Sequence, residues 1–219
     1  MNTAFHNFSN TANALRRTVL RGVVLAGLGL GLSLGHLSVQ AQTVAADTFI
    51  KGIADDLLKT VEADAAVQKG DAKRINAIVD EKIMPNVNFA KMTAASVGAA
   101  WRTATPDQQA ALQKEFRTLL QRNYGTALAA AKGATLQMRP LRAAADDTEA
   151  VVRTTITPPK GEAIQVDYRV EKAGATWKIY DVNIVGVWMA QNYKTSFAPE
   201  IDKNGVAGLI KSLAEKNAR

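Results

Sequence analysis

The apolar residues of this chain recur at helical spacing up to Gly133 and alternate with polar ones after it, and that change of period is its strongest constraint on fold. Before it, "TPDQQAALQKEFRTLLQRNYGTALAAAKG" carries a complete helix grammar. Thr105 is suited to the N-cap, Pro106 to the first helical position, and Gln108 to closing a capping box. Leu112, Phe116, Leu119, Leu120 and Tyr124 form the apolar stripe, and Gly133 is a natural stop. Upstream, Ile50, Ile53, Leu57, Leu58 and Val61 predict one helix capped at Asp47 or Thr48. Ile75, Ile78, Val79 and Ile83 predict a second that starts after Asp71 and stops near Pro85, and "VNFAKMTAASVGAAWRTA" a third that Trp101 closes. Downstream, "TLQMRP" and the stretch from Glu149 to Ile184 read as strands separated by the turn clusters "PPKGE" and "EKAGA". Turns that short require antiparallel neighbours. The chain then closes on helices through "QNYKTSFAPEI" and, past Asn204-Gly205, "VAGLIKSLAEK". Helices, a sheet of about four antiparallel strands, then helices make an α+β fold.

The first residues read as an export signal. Arg16, Arg17 and Arg21 precede an apolar run from Gly22 to Leu34, with Val39 and Ala41 as the small residues of a cleavage site after Ala41. The run is too short to span a bilayer comfortably. Its Gly27, Gly29 and Gly31 lack the sixth-position glycine of a nucleotide loop. The expected mature chain is one exported domain, residues 42–219. Both histidines, His6 and His36, leave with the signal, and the chain has no cysteine. Ser-His-Asp and Cys-His catalysis and nearly every zinc site are thereby excluded. The mature chain keeps 24 basic against 20 acidic residues, scattered along it, which describes a solvated surface and argues against nucleic acid.

Two long blocks, "IVDEKIMPNVNFAKMTAASVGAAWRTATPDQQAALQKEFRTLLQRNYGTAL" and "VDYRVEKAGATWKIYDVNIVGVWMAQNYKTSFAPEIDKNGVAGLIKSL", resemble the signature blocks of the MlaC, or toluene-tolerance, family. The pattern Trp177, Tyr180, Asp181, Gly186, Asn192 and Tyr193 is its most specific part. The resemblance implies a non-enzymatic, cofactor-free carrier with its helices and a curved sheet enclosing an apolar pocket for the acyl chains of a glycerophospholipid. It implies transient contact with an outer-membrane lipoprotein/porin complex and an inner-membrane ABC transporter complex of the Mla type. The pocket wall it implies draws on Val97, Trp101, Phe116, Leu120, Tyr124, Met138, Val152, Val166, Tyr168, Val182, Ile184, Val187, Trp188 and Met189. Two residues depart from the family pattern: Trp188, where a small residue is common and which would narrow the pocket, and Lys194, where arginine is frequent and whose ammonium lacks a bidentate fork.

Read without the resemblance, these stripes are ordinary core. Period two along "WKIYDVNI" places Tyr180, Val182 and Ile184 on one face and Asp181 and Asn183 on the other, so Tyr180 and Asp181 point apart and make no dyad. Asp181 is then expected to accept hydrogen bonds on the outer face. An enzyme that houses Asp/Tyr chemistry in the same helix-plus-sheet cone is the alternative, marked by a buried Asp of raised pKa beside a Tyr. A periplasmic adaptor that binds protein instead would have a filled core.

Overall fold

The computed structural model describes residues 44–144 and 146–219. The predicted signal, with its glycines, lies outside them.

α1 (Ala46–Ala63) is followed by the single turn α2 (Ala65–Gln68) and by α3 (Ala72–Ile78), which Asp71 caps by accepting from the Arg74 amide. α1 is capped at Ala45, two residues before the first expected cap, Asp47, and the Trp177 indole fixes that start by donating to the Val44 carbonyl at 2.6 Å. α3 runs into a π turn, Val79–Ile83, and a 3-10 turn, Met84–Asn86, that contains Pro85. α4 (Phe89–Val97) is capped by the Asn88 side chain and ends at Gly98, whose φ of 73° no helix interior tolerates. A 3-10 turn, Gly98–Arg102, carries Trp101. α5 (Pro106–Ala130) has both halves of the capping box in place, Thr105 accepting from the Gln108 amide and Gln108 from that of Thr105.

The sheet is an open antiparallel meander in chain order: β1 (Thr135–Met138), β2 (Glu149–Thr157), β3 (Ile164–Ala173), β4 (Thr176–Ile184) and β5 (Val187–Trp188). Its fifth strand exceeds the expectation of about four; two residues are too few for alternation to announce. β4 and β5 are joined by Val185 and Gly186, both at positive φ (51° and 86°), the backbone of a tight two-residue hairpin turn. α6 (Met189–Asn217) closes the chain as two helices broken at Gly205, where φ is 67°.

One expectation is corrected here. Arg169 pairs with Asp181 but Val170 with Ile179, so Tyr180 is the extra residue of a β-bulge. The bulge advances the side-chain phase by one: Ile179 and Val182 both turn inward, and Tyr180 joins Asp181 outside. The bulge coincides with a tether, because the Ile179 carbonyl accepts from the Asn88 amide at 2.8 Å where the chain enters α4.

Three apolar clusters hold the fold together. Met92, Val97, Leu112, Phe116, Tyr193, Phe197, Leu209 and Leu213 join α4, α5 and α6. Phe116, 1 % exposed, is the hub, with edge-on rings of Tyr193 at 4.9 Å and Phe197 at 5.5 Å. Ala46 and Ile50 of α1 meet Val152, Val170, Trp177 and Ile179 on the inner face of the sheet. Val61, Val67, Ile75 and Ile78 tie α1, α2 and α3, with Leu128 of α5 against them.

Candidate ligand-binding cavity

Between the three clusters lies a cavity of about 350 Å³. α1 gives it Ile50, Ile53, Ala54 and Leu57; the π and 3-10 turns give Val79, Ile83 and Met84; the sheet gives Tyr168, Ile179, Val182 and Ile184. α5 lays Arg117, Leu120, Gln121, Tyr124 and Leu128 along one face, a spacing of three and four that puts them on one side of a helix. Phe89 and Met92 of α4 and Met189 of α6 close it. The size lies within the range of small-molecule pockets, at its lower end.

The structure brings six of the sequence-selected residues together on this wall: Leu120, Tyr124, Tyr168, Val182, Ile184 and Met189. The other eight lie elsewhere. Val97, Phe116 and Val152 are buried in the clusters, Phe116 directly behind Phe89 with ring centroids 5.8 Å apart. Met138 packs half-buried against the α1–sheet cluster, and Val166 is buried on the inner face, paired with Ile184. Trp101 packs against the helical cluster and borders a second depression. Val187 is 53 % exposed, and Trp188 lies on the outer face under the Arg169 guanidinium, 3.9 Å from its ring centre. The α1 and π-turn residues on the wall were unmarked in the sequence as ligand-facing, because their stripes have the same spacing as core stripes.

Polar groups reach the wall at few points. Tyr168 presents one side of its ring to the cavity, and burial pushes its phenol up to about 12. Arg117 and Gln121 both donate to Asp80 Oδ1 across the seam between α5 and the π turn, Gln121 at 3.2 Å. Among the described residues no group of three or more His, Cys, Asp or Glu is placed to hold a metal ion, and no helix is long and apolar enough to cross a membrane.

On the outer face Tyr180 and Asp181 share the second depression, each engaged by its own partners. The Tyr180 hydroxyl donates to Glu149 at 3.1 Å, and its ring carries the Lys91 ammonium 3.9 Å from the centroid. Burial, and then Glu149, raise the Tyr180 phenol; the hydrogen bond from Lys91 holds the Glu149 carboxyl below its ordinary value. Glu149 and Glu171 stand opposite each other in the ladder, an unfavourable pairing that Lys91 offsets by donating to both (2.7 and 2.5 Å). Asp181, 2 % exposed, accepts from the amides of Val182 and Ala190 at the start of α6 and from Arg169 at 3.1 Å, the outer-face role expected of it. These are structural ties of α4 and α6 to the sheet.

Among the described residues, an open antiparallel sheet and the helices packed on it border an apolar cavity. The family model described as MlaC protein matches residues 51–215, and the chain belongs to the MlaC family. It is similar to the toluene tolerance protein ttg2D of Pseudomonas putida, 26 % identical over 167 residues that cover 74 % of this chain and 77 % of that one. It is also similar to the intermembrane phospholipid transport system binding protein MlaC of Haemophilus influenzae, 22 % identical over 165 residues with the same coverage. Among solved structures, the phospholipid-binding protein from Ralstonia solanacearum in complex with a phospholipid superposes with a TM-score of 0.77. It is 42 % identical, over 80 % of this chain and 98 % of that one.

Proposed function

We propose that this chain is the soluble periplasmic phospholipid carrier of an Mla-type system. Exported and cleaved after Ala41, it takes glycerophospholipid between an outer-membrane lipoprotein/porin complex and an inner-membrane ABC transporter complex, and so maintains the lipid asymmetry of the outer membrane. It works without a catalytic centre or cofactor. The observation that carries this reading is the cavity itself, walled by apolar side chains between three separate clusters. The phospholipid in the Ralstonia solanacearum relative supports it.

The energetics fit a shuttle. Each buried methylene contributes about 0.8 kcal/mol, so a diacyl lipid brings on the order of 20 kcal/mol of apolar burial. A bilayer offers the same, and the carrier need only match it for docking partners to drive loading and release. The seam between α5 and the π turn, closed by the part-exposed Arg117–Asp80 ion pair and the Gln121–Asp80 hydrogen bond, is suited to open for entry of the chains.

The test is transfer of labelled phospholipid between two vesicle populations, one bearing each membrane complex. Transfer that depends on this protein and on both complexes is expected. Transfer that proceeds equally without either complex would contradict the shuttle between them.

A further inference from the structure

Arg117 is the one charged side chain on the cavity wall among the described residues. It is about one-third exposed (34 %), so it stands where the cavity meets solvent. Its partner, the Asp80 carboxylate, is more than half exposed (52 %) and comes from the π turn, which itself lines the cavity with Val79 and Ile83. Gln121, one turn along α5, points its amide at the same carboxylate oxygen. Two donors thus converge on a single anionic oxygen at the edge of an otherwise apolar wall.

Building on the carrier reading above, we infer that Arg117 and Gln121 form the phosphate subsite for the lipid headgroup and that Asp80 occupies it as an internal substitute. An exposed ion pair contributes little, so exchanging one anion for another costs little. The guanidinium binds phosphate through two parallel N–H donors, a geometry one shared carboxylate oxygen does not use fully. The helix supplies the rest of the alignment. From Arg117, the wall residues of α5 continue through Tyr124 to Leu128, about 16 Å at the helical rise per residue, so a headgroup at Arg117 leaves its chains along the apolar side. Moving the anion from Asp80 to the lipid also frees the π turn from α5, which couples headgroup arrival to widening of the cavity.

The experiment uses the mature protein and phosphatidylcholine vesicles doped equally with phosphatidic acid and diacylglycerol of the same acyl chains, which differ only in the phosphate. Bound lipids are extracted and quantified. Wild type should favour phosphatidic acid, and Arg117→Ala should lower that preference roughly tenfold, in line with loss of a hydrogen bond to a charged group. Arg117→Lys should fall between, and Asp80→Asn should hold or raise the preference because it frees the guanidinium. An unchanged ratio in Arg117→Ala, in a protein that still loads lipid, would overturn the subsite and leave the carrier reading standing. Failure of wild type to take up either lipid would overturn both. Loss of the preference in excess inorganic phosphate would make this a free-anion site and overturn its assignment to the headgroup.

Discussion

Val182→Glu tests whether the cavity wall holds the ligand. Val182 sits on β4 opposite Tyr168, half-buried, facing the cavity between the helical and α1–sheet clusters. A carboxyl there loses about 1 kcal/mol of valine burial, half the full value, and adds about 1–3 kcal/mol for a polar group without partners. Folding should weaken by about 2–4 kcal/mol. Lipid binding should weaken through about two methylenes left without apolar contact and through dehydration of the carboxyl, about 3–4 kcal/mol together, or about two to three orders of magnitude in affinity. The control is Leu213→Ala on α6, 1 % exposed and away from the cavity wall, with an expected cost of about 2–5 kcal/mol. Urea unfolding reports the stability of both variants, and native mass spectrometry after incubation with vesicles reports the loaded fraction. Loss of lipid in Val182→Glu alone is expected. Equal loading in the two variants, at similar stability, would refute the placement of Val182 on the ligand wall.

Three smaller perturbations probe the frame. Val185 is a β-branched residue at φ 51°, 68 % exposed, so Val185→Asn should relieve strain without losing packing and raise stability by about 1 kcal/mol in urea unfolding. Gly133→Ala meets both a φ of 68° and a Cβ placed 2.9 Å from Pro159 Cγ, and should destabilise by about 2 kcal/mol in the same assay. The Tyr168 phenol, raised by burial to about 12, stabilises the fold fully below its unfolded value near 10 and loses that contribution as pH rises toward 12. Tyr168→Phe should therefore flatten the fall in Tm between pH 10 and 12, removing roughly 2 kcal/mol of pH dependence.

The sequence made the framework readable where a local rule operates. The Thr105–Gln108 capping box and the Asp71 cap appear in the fold as spaced, whereas on β3 the alternation is blurred, with Ile164 exposed and Asp167 buried. The bulge at Tyr180 was not readable, since an extra residue changes no composition and only its partner strand reveals it. Its effect was large: it moved Tyr180 to the face of Asp181 and brought Ile179 to the cavity. The cavity was readable only in part. Leu120 and Tyr124 line it while Phe116, on the same α5 stripe, fills a core, because wall and core differ in how far the facing elements stand apart. Distance between elements is set by all of them together, so the contribution of α1 and the π turn carried no separate signal.

The central claim, that the cavity carries phospholipid, is tested most directly by native mass spectrometry of the purified mature protein with extraction of whatever it holds. One glycerophospholipid per chain, lost on Val182→Glu, is the expected result. A ligand-free mass that does not change after incubation with phospholipid vesicles would contradict the claim.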